Sequence, residues 1–92
     1  AKSIVFNEFL DAAKQGHTAI VEAFLAQGIS VNAATEDGTT ALMLAAQRGH
    51  RQTVDLLLAN GAELDRQCRT YKLTALMLAV AMDQINTVES LL

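Results

Sequence analysis

Apolar residues recur at helical spacing along the chain, separated by polar segments that contain glycine. Val54, Leu57 and Leu58 stand at positions i, i+3 and i+4, which predicts a helix with one apolar stripe. A second helix is predicted just before it, over residues 42–48, and the glycine that follows ends it. The polar segments between such helical pairs have no helical period, so we expect hairpins or loops there.

This pattern repeats with a period of 33 to 34 residues. Residues 10–32 match 8 of the 23 positions that lie 33 residues further on, and residues 40–58 match 10 of the 19 positions that lie 34 residues further on. The block Thr-Ala-Leu-Met-Leu-Ala at residues 40–45 returns unchanged at residues 74–79. The change of period places one inserted residue between Asp65 and Thr74. Because repeats of this length are the mark of stacked architectures, the periodicity decides the fold class.

Each repeat is predicted to form two short helices joined by a turn. Asn7, Thr40 and Thr74 share one repeat position, and all three are suitable helix N-caps. Helices this short are marginal in water, so each unit must bury its apolar stripe on its neighbours. The sequence therefore predicts one domain over residues 1–92, an all-α repeat solenoid with units of about 2–34, 35–67 and 68–92, the last incomplete.

Several motifs resemble those of ankyrin repeats. They are Asp-Gly-Thr-Thr-Ala-Leu at 37–42, Leu-Ala-Ala at 44–46, Gly-His at 49–50, Leu-Leu-Leu at 56–58 and Asn-Gly-Ala at 60–62. The resemblance implies helical hairpins joined by hairpin loops, and a partner protein bound at the concave face and the turn tips. A tetratricopeptide array is disfavoured, because a glycine follows the predicted N-cap by only nine residues, too soon for its longer helices.

The departures from the ankyrin pattern lead to four expectations. Met43 and Met77 replace a histidine of the family signature, so apolar packing is expected at both positions. Lys72 replaces the turn glycine, which predicts a rebuilt turn tip. Asp83 follows the third unit's first helix where the other units have glycine, so that turn is expected to differ. The open last unit predicts further repeats, a covering partner, or self-association through the C-terminal end.

Composition and charge narrow the function. The net charge of −3 argues against a nucleic-acid groove and against an anionic membrane surface. No apolar run is long enough to span a bilayer. Nucleotide-binding glycine motifs, a nucleophile elbow and paired catalytic carboxylates are all missing from the sequence, so we predict no enzyme and no cofactor. The single cysteine forms no internal disulfide and favours a cytoplasmic location only weakly.

The histidines and the cysteine are predicted to have structural rather than catalytic roles. His17 and His50 lie one repeat apart, about 10 Å in a helical stack, which is too far for two ligands of one metal. Each is expected to bond to backbone at the turn between the two helices of a unit. Cys68 is expected to be an exposed thiol without a partner base.

Arg66, Arg69 and Lys72 concentrate positive charge near the third unit's turn tip, beside the aromatic Tyr71. One interpretation is a site for an acidic or phosphorylated partner. The other is pairing with the acidic pair at residues 36–37 on the preceding tip. The sequence leaves both interpretations open.

The residues predicted to contact a partner lie on the turn tips and the inward sides of the first helices. They are Lys14, Gln15, Glu36, Asp37, Thr39, Gln47, Arg48, Arg69, Thr70, Tyr71, Leu73 and Met82. Among them Arg48, Arg69 and Tyr71 are the strongest candidates, since arginine and tyrosine are frequent interface anchors. Asn32 falls where similar ankyrin arrays are hydroxylated, and a plain turn residue is the favoured interpretation. The predicted function is a protein-interaction scaffold; the alternative is a structural segment that spaces domains or mediates oligomerisation.

Overall fold

Three consecutive helical pairs make up the computed structural model, which describes residues 2–92 and the side chains of residues 4–92. The helices are α1 (Lys2–Gln15), α2 (Thr18–Ala26), α3 (Ala41–Gln47), α4 (Arg51–Ala59), α5 (Ala75–Ala81) and α6 (Ile85–Leu91). Helix α3 packs between α1 and α5, and α4 packs between α2 and α6. The all-α repeat solenoid predicted from the periodicity is therefore confirmed.

Small side chains allow the first helices of the three pairs to pack closely. Ala13, Ala45 and Ala79 are fully buried, where α1, α3 and α5 face one another. Larger apolar residues fill the space between the two rows of helices, among them Phe9 and Leu57. Because every helix is short, this shared core supplies most of the stability that no single pair could provide.

The predicted N-caps hold for the second and third pairs but not for the first. The hydroxyls of Thr40 and Thr74 accept the backbone N–H of Met43 and Met77 at 3.4 and 3.3 Å. Asn7, in contrast, lies within α1, so its assignment as an N-cap is wrong. Since no hairpin precedes this helix within the described residues, the apolar residues before Asn7 simply continue it.

The turn inside the third pair matches the other two, contrary to our expectation. Asp83 has a φ of 58°, in the left-handed region that Gly49 also occupies at 74°. The N–H groups of Asp83 and Gln84 donate to carbonyl oxygens at 3.0 and 2.8 Å, the same pattern that Gly49 and His50 follow. Aspartate tolerates this backbone region better than most residues, so the turn survives the loss of glycine.

Two hairpins connect the helical pairs and run close together. In the first hairpin, Ala34 and Thr40 form an antiparallel bridge, and Gly38 follows the tip residues Glu36 and Asp37. The second hairpin is closed by a 2.9 Å bond from Cys68 N–H to the carbonyl of Leu73 and has one more residue in its turn. We call residues 36–38 the first tip and residues 69–72 the second tip. Lys72 adopts the left-handed backbone conformation (φ 58°) that Gly38 adopts in the first hairpin. The predicted rebuilding of the second tip is therefore limited to the inserted residue.

The methionine that replaces the family histidine is buried in one pair and exposed in the other. Met43 is 1% exposed, and its sulfur accepts the backbone N–H of Thr40 at 3.5 Å. Met77 is 48% exposed, because within residues 2–92 no helix covers that side of α5. Apolar packing is therefore confirmed at Met43 and wrong at Met77.

Candidate functional site

An open groove of about 470 Å³ lies between α1, α3 and the first hairpin. It is lined by Asn7, Leu10, Asp11, Lys14, Thr35, Asp37, Thr39 and Leu44. Three of these, Lys14, Asp37 and Thr39, were predicted from the sequence as partner contacts. Its walls combine two apolar side chains with carboxylate, ammonium, amide and hydroxyl groups.

Asp37 is held in place by its own hairpin. Its carboxylate accepts hydrogen bonds from the hydroxyl of Thr35 and from the backbone N–H of Thr39, the latter at 3.2 Å. These bonds, first that from Thr35 and then those from Thr39, lower the pKa of the Asp37 carboxyl below its ordinary value of 3.8. Near neutral pH the first tip therefore presents a fixed negative charge to the groove.

All four residues of the second tip are exposed to solvent. Tyr71 is 76% exposed, and Arg69, Thr70 and Lys72 are exposed beside it. The backbone N–H of Arg69 donates to the carbonyl of Asp37 at 2.6 Å, so the two tips are neighbours, as the stacking predicts. Pairing between the tips, one of the two interpretations left open by the sequence, is not seen: among residues 4–92, the ion pairs involve Arg51 and Arg66.

Cys68 lies beneath the second tip and is buried, so the expected exposed thiol is wrong. Its Cα lies 3.3 Å from the position that a Cβ on Gly38 would occupy, because the two hairpins approach each other backbone to backbone. Glycine at position 38 permits this approach as well as the positive φ of 83°. The packing draws the cysteine into the core, where a small apolar side chain fits.

The remaining predicted contacts occupy other parts of the stack. Gln47 and Arg48 lie at the end of α3, and Met82 lies at the equivalent end of α5. Arg48 and Met82 are exposed, whereas Gln47 and Leu73 are half-buried. Elsewhere Glu36 is exposed on the first tip, and Gln15 donates a 2.9 Å bond to Asp11 beside the groove. The structure thus joins Lys14, Asp37 and Thr39 in the groove and separates the helix-end residues from it.

Polar side chains connect each helical pair to the next on the outer side. The His50 ring hydrogen bonds through Nε2 to the carbonyl oxygen of Lys14 at 2.9 Å, as predicted. In the next pair Thr87 donates to the carbonyl of Ala46, also at 2.9 Å. His17, in contrast, is exposed and makes no side-chain capping bond, so its predicted backbone bond is not seen at the start of α2.

Comparison with known proteins agrees with the repeat interval found in the sequence. A sequence model described as ankyrin repeats (3 copies) matches residues 9–92. The chain belongs to the ankyrin repeat family. It is 37% identical to Protein HOS4 of Saccharomyces cerevisiae over 95% of its length, and 36% identical to an ankyrin repeat protein of Fowlpox virus over 90%.

A third relative, Cortactin-binding protein 2 of Ornithorhynchus anatinus, is 42% identical over 59% of the chain. The chain spans only 9%, 25% and 3% of the lengths of these three relatives. What the likeness shows is therefore the repeat family, in which the repeats generally mediate protein–protein interaction.

The sequence analysis missed several groove and loop residues of this ankyrin stack. Asn7, Leu10 and Asp11 line the groove with Lys14, and their spacing of three, four and seven residues marks one helix face that could have been found by counting back from Lys14. Asn32 is more than the plain turn residue we favoured. Its side chain donates to the carbonyl of Gly61 and accepts the N–H of Glu63 at 3.3 and 2.8 Å, which ties successive loops together.

Neither a metal site nor a membrane-spanning helix is found in the part of the chain that the structure describes. Within residues 2–92 no group of three or more histidine, cysteine or acidic side chains could hold a metal ion. In the same range no helix is long and apolar enough to cross a membrane.

Proposed function

We propose that this ankyrin stack binds a partner protein through the groove and the two hairpin tips. The observation that carries the proposal is the groove itself, whose wall includes Asp37 of the first tip, which adjoins the exposed second tip. Together they form one surface with apolar, acidic and basic parts. Membership of a family whose repeats bind other proteins supports the same function.

The rigidity of this surface favours binding. The backbone bond between the tips and the two bonds of Asn32 fix the connecting loops before any partner arrives. Because loops that are already ordered lose little conformational entropy on association, more of the contact energy appears as affinity.

The proposal is tested with a double substitution on the second tip, Arg69→Ala with Tyr71→Ala. Proteins captured on the immobilised chain are identified, and the affinity of the best of them is measured by calorimetry. We expect the double variant to weaken binding by about 2 kcal/mol or more, because both side chains are exposed candidate anchors. The matched control is Arg51→Ala with Ile20→Ala, an exposed arginine and an exposed apolar residue on α4 and α2.

The control variant should bind within about twofold of the unchanged chain, since it leaves the groove and the tips intact. Equal losses in both double variants, with both still folded by circular dichroism, would place the binding surface elsewhere on the stack.

A second candidate function is structural, with the stack joined to another element through the end formed by α5 and α6. It is favoured by Met77 and Val80, which are 48% and 60% exposed, whereas the equivalent Met43 and Ala46 are buried between pairs. Sedimentation over a range of concentrations tests the oligomerisation form of this function. A mass that rises with concentration, and stays monomeric for Val80→Gln, would support it; a constant monomer mass would refute it.

A further inference from the structure

We propose that the second tip binds an acidic segment of the partner protein, whose carboxylates pair with Arg69 and Lys72. The inference rests on the proposed function and adds the chemistry of what the surface recognises. Sequence alone left two interpretations of these cations, an external anion or internal pairing with the first tip. The structure decides between them.

Internal pairing is the natural alternative, because the two tips touch. Arg69 donates its backbone N–H to the carbonyl of Asp37, so opposite charges lie on adjacent turns. Of the three cations near this tip, Arg66 pairs with Glu63 at 3.0 Å, whereas Arg69 and Lys72 form no ion pair among residues 4–92. The side chains of Arg69 and Lys72 thus remain exposed and available to an external partner.

One of the two acidic residues at this junction, Asp37, is already hydrogen-bonded within its own hairpin. The carboxylate of Asp37 takes hydrogen bonds from Thr35 and from the backbone N–H of Thr39. A carboxylate held in this way gains little from turning toward a neighbouring arginine. The two tips therefore keep opposite charges side by side, and a bound segment is oriented by them, with its acidic residues over the second tip.

The second tip holds its cations in place through the backbone. The bond between Cys68 and Leu73 closes the turn, and burial of Cys68 anchors its base. Lys72 occupies a left-handed position (φ 58°) where the first hairpin has glycine, so a long cationic side chain is kept at a strained site. Arg69 and Lys72 therefore stand on either side of the exposed Tyr71 along this turn.

Carboxylates fit this site better than nucleic acid does. Two cations on a chain of net charge −3 give too few phosphate contacts for a polyanion, whose affinity grows with the number of phosphates neutralised. An exposed arginine and lysine beside a tyrosine instead match a peptide with one or two acidic residues next to an apolar one.

The experiment uses the 92-residue chain to select binders from a random 12-residue peptide library on phage. The best selected peptide is then synthesised with its Asp and Glu residues intact, replaced by Asn and Gln, or replaced by phosphoserine. Binding is measured by fluorescence anisotropy to the unchanged chain, to Arg69→Gln with Lys72→Asn, and to Arg51→Gln with Arg66→Gln. The two double variants change the net charge equally, and asparagine tolerates the backbone at position 72.

We expect enrichment of Asp and Glu among the selected peptides, about tenfold weaker binding of the amide version, and a similar loss for the tip variant. The control variant should lose less than about twofold. Equal losses in both variants, or amide peptides that bind as well as the acidic ones, would overturn the acidic-segment inference while leaving peptide binding intact. Tenfold tighter binding of the phosphoserine version would overturn it in favour of a phosphopeptide site. Failure to select any binder to the groove or tips would count against the proposed function itself.

Discussion

The same six residues occur twice in this chain, in two different settings. Thr-Ala-Leu-Met-Leu-Ala opens α3 at residues 40–45 and α5 at residues 74–79. Both copies begin with a threonine cap and form helices of seven residues. Yet Met43 is 1% exposed and Met77 is 48% exposed, and Leu42 is buried while Leu76 is only half-buried.

The difference separates what the local sequence determines from what a neighbour determines. The hydroxyl cap follows from the six residues themselves, so a threonine accepts the N–H of the methionine in both copies. Burial depends on a helix on each side: α3 has α1 and α5, while among the described residues α5 contacts α3 on one side only. In a linear stack, stability is accordingly a sum of terms within units and between neighbouring units.

The largest expected effect compares Met43→Ala with Met77→Ala. The first substitution empties a buried site between helices and should cost about 2–4 kcal/mol of the free energy of unfolding. The second trims a half-exposed side chain and should cost less than about 1 kcal/mol. Urea denaturation of both variants measures the difference, and similar costs would mean that the two copies share one environment.

A smaller effect is expected at the turns, in a comparison of Gly16→Ala with Gly61→Ala. Both glycines have positive φ, 77° and 88°, so both alanines carry a similar backbone strain. Only at Gly16 would the new Cβ meet a neighbour, the His50 ring, at 2.5 Å. The ring must then give up its bond to Lys14, so Gly16→Ala should cost about 1–2 kcal/mol more in urea denaturation.

If the two alanine variants were equally stable, His50 would not be held against the first turn. Because the backbone strain is similar in both variants, the difference between their unfolding free energies reports the contact between successive units.

The smallest expected difference is between the two caps, Thr40→Ala and Thr74→Ala. Each removes one hydroxyl that accepts an N–H of the first helical turn, and each should cost about 1 kcal/mol. The Thr40 bond is buried whereas the Thr74 bond is exposed, so we expect the cost at Thr40, read from thermal or urea unfolding, to be the larger by about 0.5–1 kcal/mol. Equal costs would show that capping does not depend on the neighbouring pair.

The sequence predicted most of what is local or periodic. The two threonine caps, the helix over residues 42–48 and the turn position of His50 all follow from spacing and side-chain chemistry. Lys14, Asp37 and Thr39, which the sequence predicts as partner contacts, line one groove because the repeat register places them on one side. That the chain is an ankyrin stack was likewise visible from its period and motifs.

The errors concern contacts that depend on what lies next in the stack. Asn7 is a good cap by composition, but α1 runs on past it because no hairpin stops it within the described residues. Cys68 looked like an exposed turn residue, and only the close approach of two hairpin backbones buries it. For the cations of the second tip the sequence left pairing with residues 36–37 open, and only the structure shows that the Asp37 carboxylate is taken by nearer donors in its own turn.

Amide hydrogen exchange across the two identical blocks is the most direct test of stacking between neighbours. The amides of residues 41–45 and 75–79 have the same side chain on each side, so their intrinsic exchange rates are equal and any difference reports protection. The amide of Leu44 donates to the carbonyl of Thr40 at 3.2 Å, and the amide of Leu78 donates to the equivalent carbonyl of Thr74 at 3.0 Å. We expect NMR to show exchange about tenfold or more slower in α3, which is covered on both sides, than in α5. Equal protection, or slower exchange in α5, would contradict the dependence of stability on neighbouring pairs.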